Sequence, residues 1–170
     1  IRYHGKVYTY KKDILTFLFL GIDKNGEVKA SSNLFKGGQA DALFLAVLDP
    51  GEKKISVIGI NRDTMASMNV YDKNGRYSGR QTAQIALSHA YGDGLEESCE
   101  NSLDAVSNLF YGLPIHGYCA LNMSVVSKLN DAVGGVDVVI PESANGLEKG
   151  WTTGAEVHLE GDAAYQFIHY

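Results

Sequence analysis

The sequence predicts a layered α/β protein, and three observations predict it. Apolar runs of strand length, such as Ile14 to Ile22, Ala42 to Leu48 and Ile55 to Ile60, are bounded by Gly and polar residues. Stretches with apolar residues at helical spacing follow them, at Ser98 to Phe110 and Ser124 to Val133. Strands and helices then alternate, which is the signature of a sheet covered by helices. A chain of 170 residues is long enough for one domain with a sizeable core. We therefore expect a single domain over residues 1–170.

The elements follow in order. Val7-Tyr8-Thr9-Tyr10 alternates and predicts an edge strand. Ile14 to Ile22 predicts a core strand, and residues 23–38, rich in Gly, Asn, Ser and Lys, a loop. Residues 42–48 and 55–60 predict an antiparallel hairpin around Asp49-Pro50-Gly51-Glu52, where Pro and Gly suit the turn. Asp72-Lys73-Asn74-Gly75 is a further turn. Thr82 to Tyr91 reads as a helix with Ala83, Ala86, Leu87 and Ala90 on one face, and Ser98 reads as the N-cap of the next helix. Ile115 to Leu121 is a strand. The helix at Ser124 to Val133 stops at Gly134-Gly135, and Val136 to Ile140 is a strand closed by Pro141. Residues 142–157 read as loop apart from Trp151, and Gly161 to Tyr170 as a helix.

Composition excludes several functions. A net charge of −5 with no basic stripe gives no electrostatic case for nucleic acid. No apolar run approaches the length needed to span a bilayer. The first residue is Ile, so the chain reads as a piece of a longer protein. Cys99 and Cys119 form no Cys-x-x-Cys pair and read either as two thiols or as one disulfide of an exported protein. A phosphate loop, a nucleophile elbow, a His-Glu-x-x-His pair and a dinucleotide fingerprint are all missing. His89, within a helical stretch, reads as a packed residue rather than a ligand.

The chemistry gathers at the ends of the apolar runs. Leu20-Gly21-Ile22 ends in Asp23, Asp41 precedes Ala42 to Leu48, and Ile60 leads into Asn61-Arg62-Asp63-Thr64. Ligands of open α/β sheets collect outside strand ends. Two carboxylates and an arginine there suit a divalent cation and a phosphate, with Arg62 offering a planar fork. The alternatives are simple caps for Asp23 and Asp41 and a surface ion pair for Arg62 and Asp63.

Six segments in order resemble the LytR–CpsA–Psr family, also named cell envelope-related transcriptional attenuators. They are Leu-Gly-Ile-Asp (20–23), Gln-Ala-Asp-Ala (39–42), Ile-Asn-Arg-Asp-Thr (60–64), His-Ala-Tyr-Gly-Asp-Gly (89–94), Tyr-Gly-Leu-Pro-Ile (111–115) and Asn-Asp-Ala-Val-Gly-Gly-Val-Asp-Val (130–138). The resemblance implies a three-layer α-β-α fold, with a central mixed β-sheet flanked by helices. It implies a phosphotransferase that moves a glycopolymer, of teichoic acid or capsule type, from an undecaprenyl-pyrophosphate carrier to peptidoglycan. It also implies Mg²⁺ at Asp23 and Asp41 and phosphate binding by Arg62, with Asp63 orienting it. Asp41 is the carboxylate we expect to take the proton of the incoming hydroxyl. The polyprenyl tail is expected along the apolar linings of the sheet and of the helices at 98–110 and 124–133. The native protein would lie on the outer face of the membrane of a Gram-positive-type bacterium, held by one N-terminal anchor.

Two positions depart from the family pattern. Gln39 stands where the family often has an arginine, and His169 replaces the first arginine of its final helix, in which Gln166 is retained. Gln39, Gln166 and His169 complete the expected phosphate-binding set. A neutral Gln and a His in place of an arginine weaken the site's positive charge, so a non-catalytic polyprenyl-phosphate-binding or regulatory domain is the alternative.

Overall fold

The computed structural model describes residues 1–26, 30, 37–72 and 74–169, the last by its backbone alone. Most of the predicted loop at 23–38 and Lys73 of the predicted turn lie outside the described residues. The chain divides into two compact units, Ile1–Leu121 and Asn122–Tyr170, and each is described by itself.

The first unit opens with a small hairpin, β1 (Arg2–Tyr3) and β2 (Lys6–Val7). Its turn, His4-Gly5, has both φ angles positive, at 46° and 76°, as a tight two-residue connection between twisted strands demands. The strand expected at 7–10 therefore ends at Val7. Three longer strands follow: β3 (Leu15–Ile22), β4 (Ala40–Asp49) and β5 (Lys54–Ile60). β3 with β4 and β4 with β5 pair antiparallel, so the predicted hairpin stands. With β8 (Gly117–Asn122) they form the central mixed sheet in the order β5-β4-β3-β8.

Alternation along β3 sends Thr16, Leu18, Leu20 and Ile22 to one face, where all four are buried. The opposite face carries Leu15 and the directly paired Phe19 and Phe44, all solvent-exposed. The buried face packs on α2 (Glu96–Leu109) through Cys99, Ala105 and Val106.

β6 (Met65–Tyr71) and β7 (Tyr77–Gln84) form a second hairpin around the turn after Tyr71, with Ser67 opposite Thr82. That pairing corrects the helix expected over 82–91. Residues 82–84 satisfy their backbone groups across the hairpin, and only α1 (Leu87–Ala90) is helical. Ser98 is likewise not an N-cap. It lies inside α2, fully buried, and its hydroxyl accepts from the Gly94 N–H at 2.7 Å. Asp93 does the capping work, its Oδ1 accepting from the N–H of Leu95 at 2.8 Å and of Ser98 at 3.4 Å.

The second unit contains a 3₁₀ turn at Met123–Val125, α3 (Val126–Ala132), β9 (Val136–Val139), β10 (Glu156–Leu159) and α4 (Asp162–His169). β9 and β10 pair antiparallel, so the expected loop at 142–157 gives way to a strand at its end. Ile140, Ala144, Trp151, Leu159 and Ala164 form its core, with Trp151 edge-on to Phe167. The buried Asn130 side chain donates to the Leu159 carbonyl at 2.8 Å.

One irregularity matters for function. The β3–β4 register runs Gly21 opposite Ala42 and then Ile22 opposite Ala40, so Asp41 is an inserted residue, a β-bulge. Gly21 permits the close approach, because a Cβ there would meet the Ala42 Cβ at 2.9 Å. Gly21→Ala should push the strands apart beside the bulge and lower stability by roughly 1–3 kcal/mol, read as a fall in the thermal midpoint.

Candidate functional site

Unbroken alternation would aim Asp41 to the same side as Leu43 and Leu45, both buried in the core. The bulge puts Ala40, 0% exposed, in that place and turns Asp41 toward the strand end. Asp23 leaves β3 alongside, its N–H donating to the Gln39 carbonyl at 3.0 Å. The two carboxylates thus flank one strand end, as expected from their positions at the ends of apolar runs, and the Asp23 charge acts on the Asp41 carboxyl.

Arg62 completes the cluster from the end of β5. Its Nη1 meets Asp41 Oδ2 at 2.5 Å, and its Nη2 donates to Gln39 Oε1 at 3.1 Å. Asp63, expected to orient it, stands 3.9 Å from Nε, and its Oδ1 instead accepts from Gln84 at 2.9 Å. Asp41 and Gln39 therefore hold the guanidinium. Gln39 adds no charge where an arginine would, but it fixes the one charge present.

Backbone bonds lock the strand ends together. The Ala86 N–H donates to the Arg62 carbonyl at 3.2 Å, and the Ala86 carbonyl accepts from the Ala40 N–H at 3.1 Å. Ala86 thus bridges the residues on either side of the Asp41–Arg62 pair. His89 adds a second tie. It is 1% exposed and its Nδ1 lies 2.9 Å from the Gly38 carbonyl, so Nδ1 carries the proton that the carbonyl accepts. Burial lowers the His89 pKa and keeps the ring neutral. Its Nε2 faces the Cys99 sulfur at 4.0 Å, and burial pushes that thiol up to about 11. The packed-residue expectation for His89 holds. Cys99 is buried and free, and Cys119 is exposed and free. None of Ala86, Gln84 and the Gln39–Arg62 contact follows from a sequence motif, because each is a partner across non-adjacent segments.

The cluster opens on a shallow groove of about 550 Å³, bordered by Asp41, Phe44, Asn61, Arg62 and Asp63. Asp41 Oδ1 is buried with no hydrogen-bond partner among the described residues. Burial pushes the Asp41 carboxyl above its ordinary value, Arg62 pulls it back, and Asp23 raises it again. A buried, unpaired carboxylate oxygen beside a second carboxylate fits a hard divalent cation, which takes oxygen ligands. Gln166 is exposed on α4 in the second unit, and the His169 side chain lies outside the described residues.

This geometry stands beside three comparisons. The LytR_cpsA_psr family model matches residues 3–170. Among curated relatives, the polyisoprenyl-teichoic acid–peptidoglycan teichoic acid transferase TagU of Bacillus mycoides is 31% identical over 161 residues, covering 92% of this chain and 44% of that protein. The TagU of Enterococcus faecalis is 26% identical over 165 residues, covering 96% and 47%. Two solved structures share the fold. The Lin1025 protein from Listeria innocua has a TM-score of 0.61 at 23% identity, over 94% of this chain and 55% of that one. Protein gbs0355 from Streptococcus agalactiae has a TM-score of 0.65 at 21% identity, over 91% and 50%. The chain belongs to the LytR–CpsA–Psr family, and it spans less than half the length of the curated relatives it matches.

His89→Phe keeps a ring in the core but strands the Gly38 carbonyl, at a cost of roughly 1–3 kcal/mol. Because the folded pKa is depressed, the wild-type His89 contribution is complete above the unfolded value of 6.5 and is lost as pH falls below it toward the folded value. Unfolding measured against pH should show that component in the wild type and not in His89→Phe.

Proposed function

We propose that this chain is the phosphate-handling domain of a glycopolymer phosphotransferase. It moves a teichoic acid or capsule-type polymer from undecaprenyl pyrophosphate to peptidoglycan. The observation that carries the proposal is the Asp41 carboxylate, which grips Arg62 through one oxygen and keeps the other buried and unpaired beside Asp23. The names of the relatives, which specify transfer of teichoic acid from a polyisoprenyl carrier to peptidoglycan, support the substrate class.

The residues divide the work by charge. Arg62, held flat by Asp41 and Gln39, stabilises the negative charge that grows on the departing lipid phosphate. Asp23 and Asp41 would hold the divalent cation, Mg²⁺ in this proposal, and its charge would screen that of the pyrophosphate. A hydroxyl of the acceptor sugar attacks the polymer-linked phosphorus. The bond to the bridging oxygen breaks, and undecaprenyl phosphate leaves with the proton of the attacking hydroxyl on its freed oxygen. The Arg62 pair leaves Asp41 one oxygen for either cation binding or proton uptake, and burial of that oxygen assigns it to the cation. The general-base role expected of Asp41 competes with that assignment.

The apolar part of the carrier has a neighbouring surface. Phe44 borders the groove and pairs with Phe19 on the exposed sheet face. Ala105 and Val106 of α2 pack in the core on the other face of the sheet. Within the proposal the native protein sits at the outer face of the membrane. Among the described residues no helix is long and apolar enough to cross one. The rival, a domain that binds the lipid without turnover, draws on Gln39, because the single guanidinium is already half neutralised by Asp41.

Two measurements test the proposal. Arg62→Ala should weaken binding of a short-chain polyprenyl pyrophosphate by roughly 1.5–3 kcal/mol. The fold should survive, since the Arg62 side chain is 43% exposed. Unchanged affinity would leave Arg62 a surface ion-pair partner. Mg²⁺ affinity, followed by titration calorimetry, should fall on acidification from a pH above the ordinary Asp value of 3.8, because protons compete for a carboxylate whose pKa is raised. Asp41→Asn should abolish that dependence together with most of the binding. Binding without polymer transfer in a reconstituted assay would select the rival.

A further inference from the structure

We infer that residues 1–12 form a docking surface for the anionic phospholipid headgroups of a bilayer. Four cations, Arg2, Lys6, Lys11 and Lys12, precede the first acidic residue, Asp13, in a chain whose net charge is −5. The segment enters the sheet at Leu15, which lies opposite Leu48, and Leu48 in turn faces Ile55. Arg62 follows the other end of β5, so this surface lies at the end of the sheet remote from the Asp41–Arg62 cluster.

The β1–β2 hairpin presents both kinds of group that a bilayer surface accepts. Tyr3 faces Lys6 across it, Arg2 faces Val7, and the Tyr8 N–H donates to the Ile1 carbonyl at 2.8 Å. Directly opposed residues share a face, so Ile1, Tyr3, Lys6 and Tyr8 lie on one side and Arg2 and Val7 on the other. None of them is packed: Tyr3 is 63% and Val7 67% exposed, and residues 1–9 are exposed throughout. Ile1, Tyr3, Val7 and Tyr8 together form an apolar patch rather than scattered single residues. Tyr10 anchors the hairpin. It is half-buried against the core of the first unit, and its hydroxyl donates to the Phe110 carbonyl.

Charge and exposure select the partner. Lys11 is balanced by Asp49 and Glu52, at 2.5 and 3.3 Å. Arg2, Lys6 and Lys12 have no ion-pair partner among the described residues. Three uncompensated cations make a spot, not the stripe that a nucleic acid needs. A soluble polyanion would satisfy the cations and leave Ile1, Tyr3, Val7 and Tyr8 in water. An anionic bilayer satisfies both sets. Its phosphates meet the cations, and the tyrosine rings and apolar side chains enter the headgroup region, where tyrosine is enriched. Lys6 stands among the tyrosines, and its long stem lets the ammonium reach the phosphate level. A cleft of about 210 Å³, lined by Lys12 together with Tyr10, Ile14, Leu113 and Pro114, repeats the pairing of a cation with apolar surface. This surface does not depend on whether Arg62 handles a phosphate, and its ligand is the bilayer phospholipid itself rather than a polymer carrier.

The test is sedimentation of the full chain with vesicles of phosphatidylglycerol and, separately, of phosphatidylcholine. The chain should pellet with the anionic vesicles and stay in solution with the zwitterionic ones, and salt at about 0.5 M should release it. Arg2→Gln, Lys6→Gln and Lys12→Gln combined should weaken binding on the order of 100-fold, since each cation near such a surface contributes roughly fivefold. Tyr3→Ser with Tyr8→Ser should weaken it several-fold at unchanged charge. All five side chains are exposed, so the thermal midpoint should not move. Lys128→Gln with Lys149→Gln, in the second unit, should bind like the wild type. Arg62→Ala should too, which separates failure here from failure of the phosphotransferase proposal. Equal binding to both vesicles, undiminished binding in the cation variant, or an equal loss in the Lys128 and Lys149 variant would each overturn the inference. Full retention by the tyrosine variant would also overturn it, because the cations would then form a site for any polyanion.

Discussion

The site depends on one inserted residue in the β3–β4 ladder. A carboxylate at position 41 in a regular strand would face Leu43 and Leu45 in the core, where an ionised group is prohibitively costly. The bulge gives that inward place to Ala40 and brings Asp41 to the strand end, within 2.5 Å of Arg62. Gly21 across the ladder makes room for it. Core packing and site geometry are thus set by the same shift in register.

Around that shift the fold supplies rigidity from backbone rather than from more charge. Ala86 ties the Arg62 carbonyl and the Ala40 amide, and His89 holds the Gly38 carbonyl. Both anchors are neutral and buried, so they position the polar cluster without altering its charge balance. The cluster itself is nearly self-compensating: two carboxylates, one guanidinium and Gln39 in place of a second cation. Under the proposed function a divalent cation would restore the positive potential that an anionic pyrophosphate requires, which is why the metal and phosphate proposals belong together.

The sequence alone determined the α/β class, the central strands and the identity of Asp23, Asp41 and Arg62 as the cluster. Apolar runs record burial locally, and a charge at the end of such a run is visible without coordinates. Family motifs in fixed order did the rest. Tertiary structure decided what depends on partners distant in the chain. Residues 82–84 read as helix because Ala83, Ala86, Leu87 and Ala90 fall on one helical face, yet they pair with β6 because the hairpin offers their backbone groups partners. Ser98 read as a cap, yet it is buried against Gly92 while Asp93 does the capping. The family resemblance implied Asp63 as the partner of Arg62; Asp63 lies 3.9 Å from it, while Asp41, far away in sequence, meets Arg62 at 2.5 Å. Register, bulges and hydrogen bonds between strand ends are set by which segments meet, and a linear pattern carries periodicity but not that pairing.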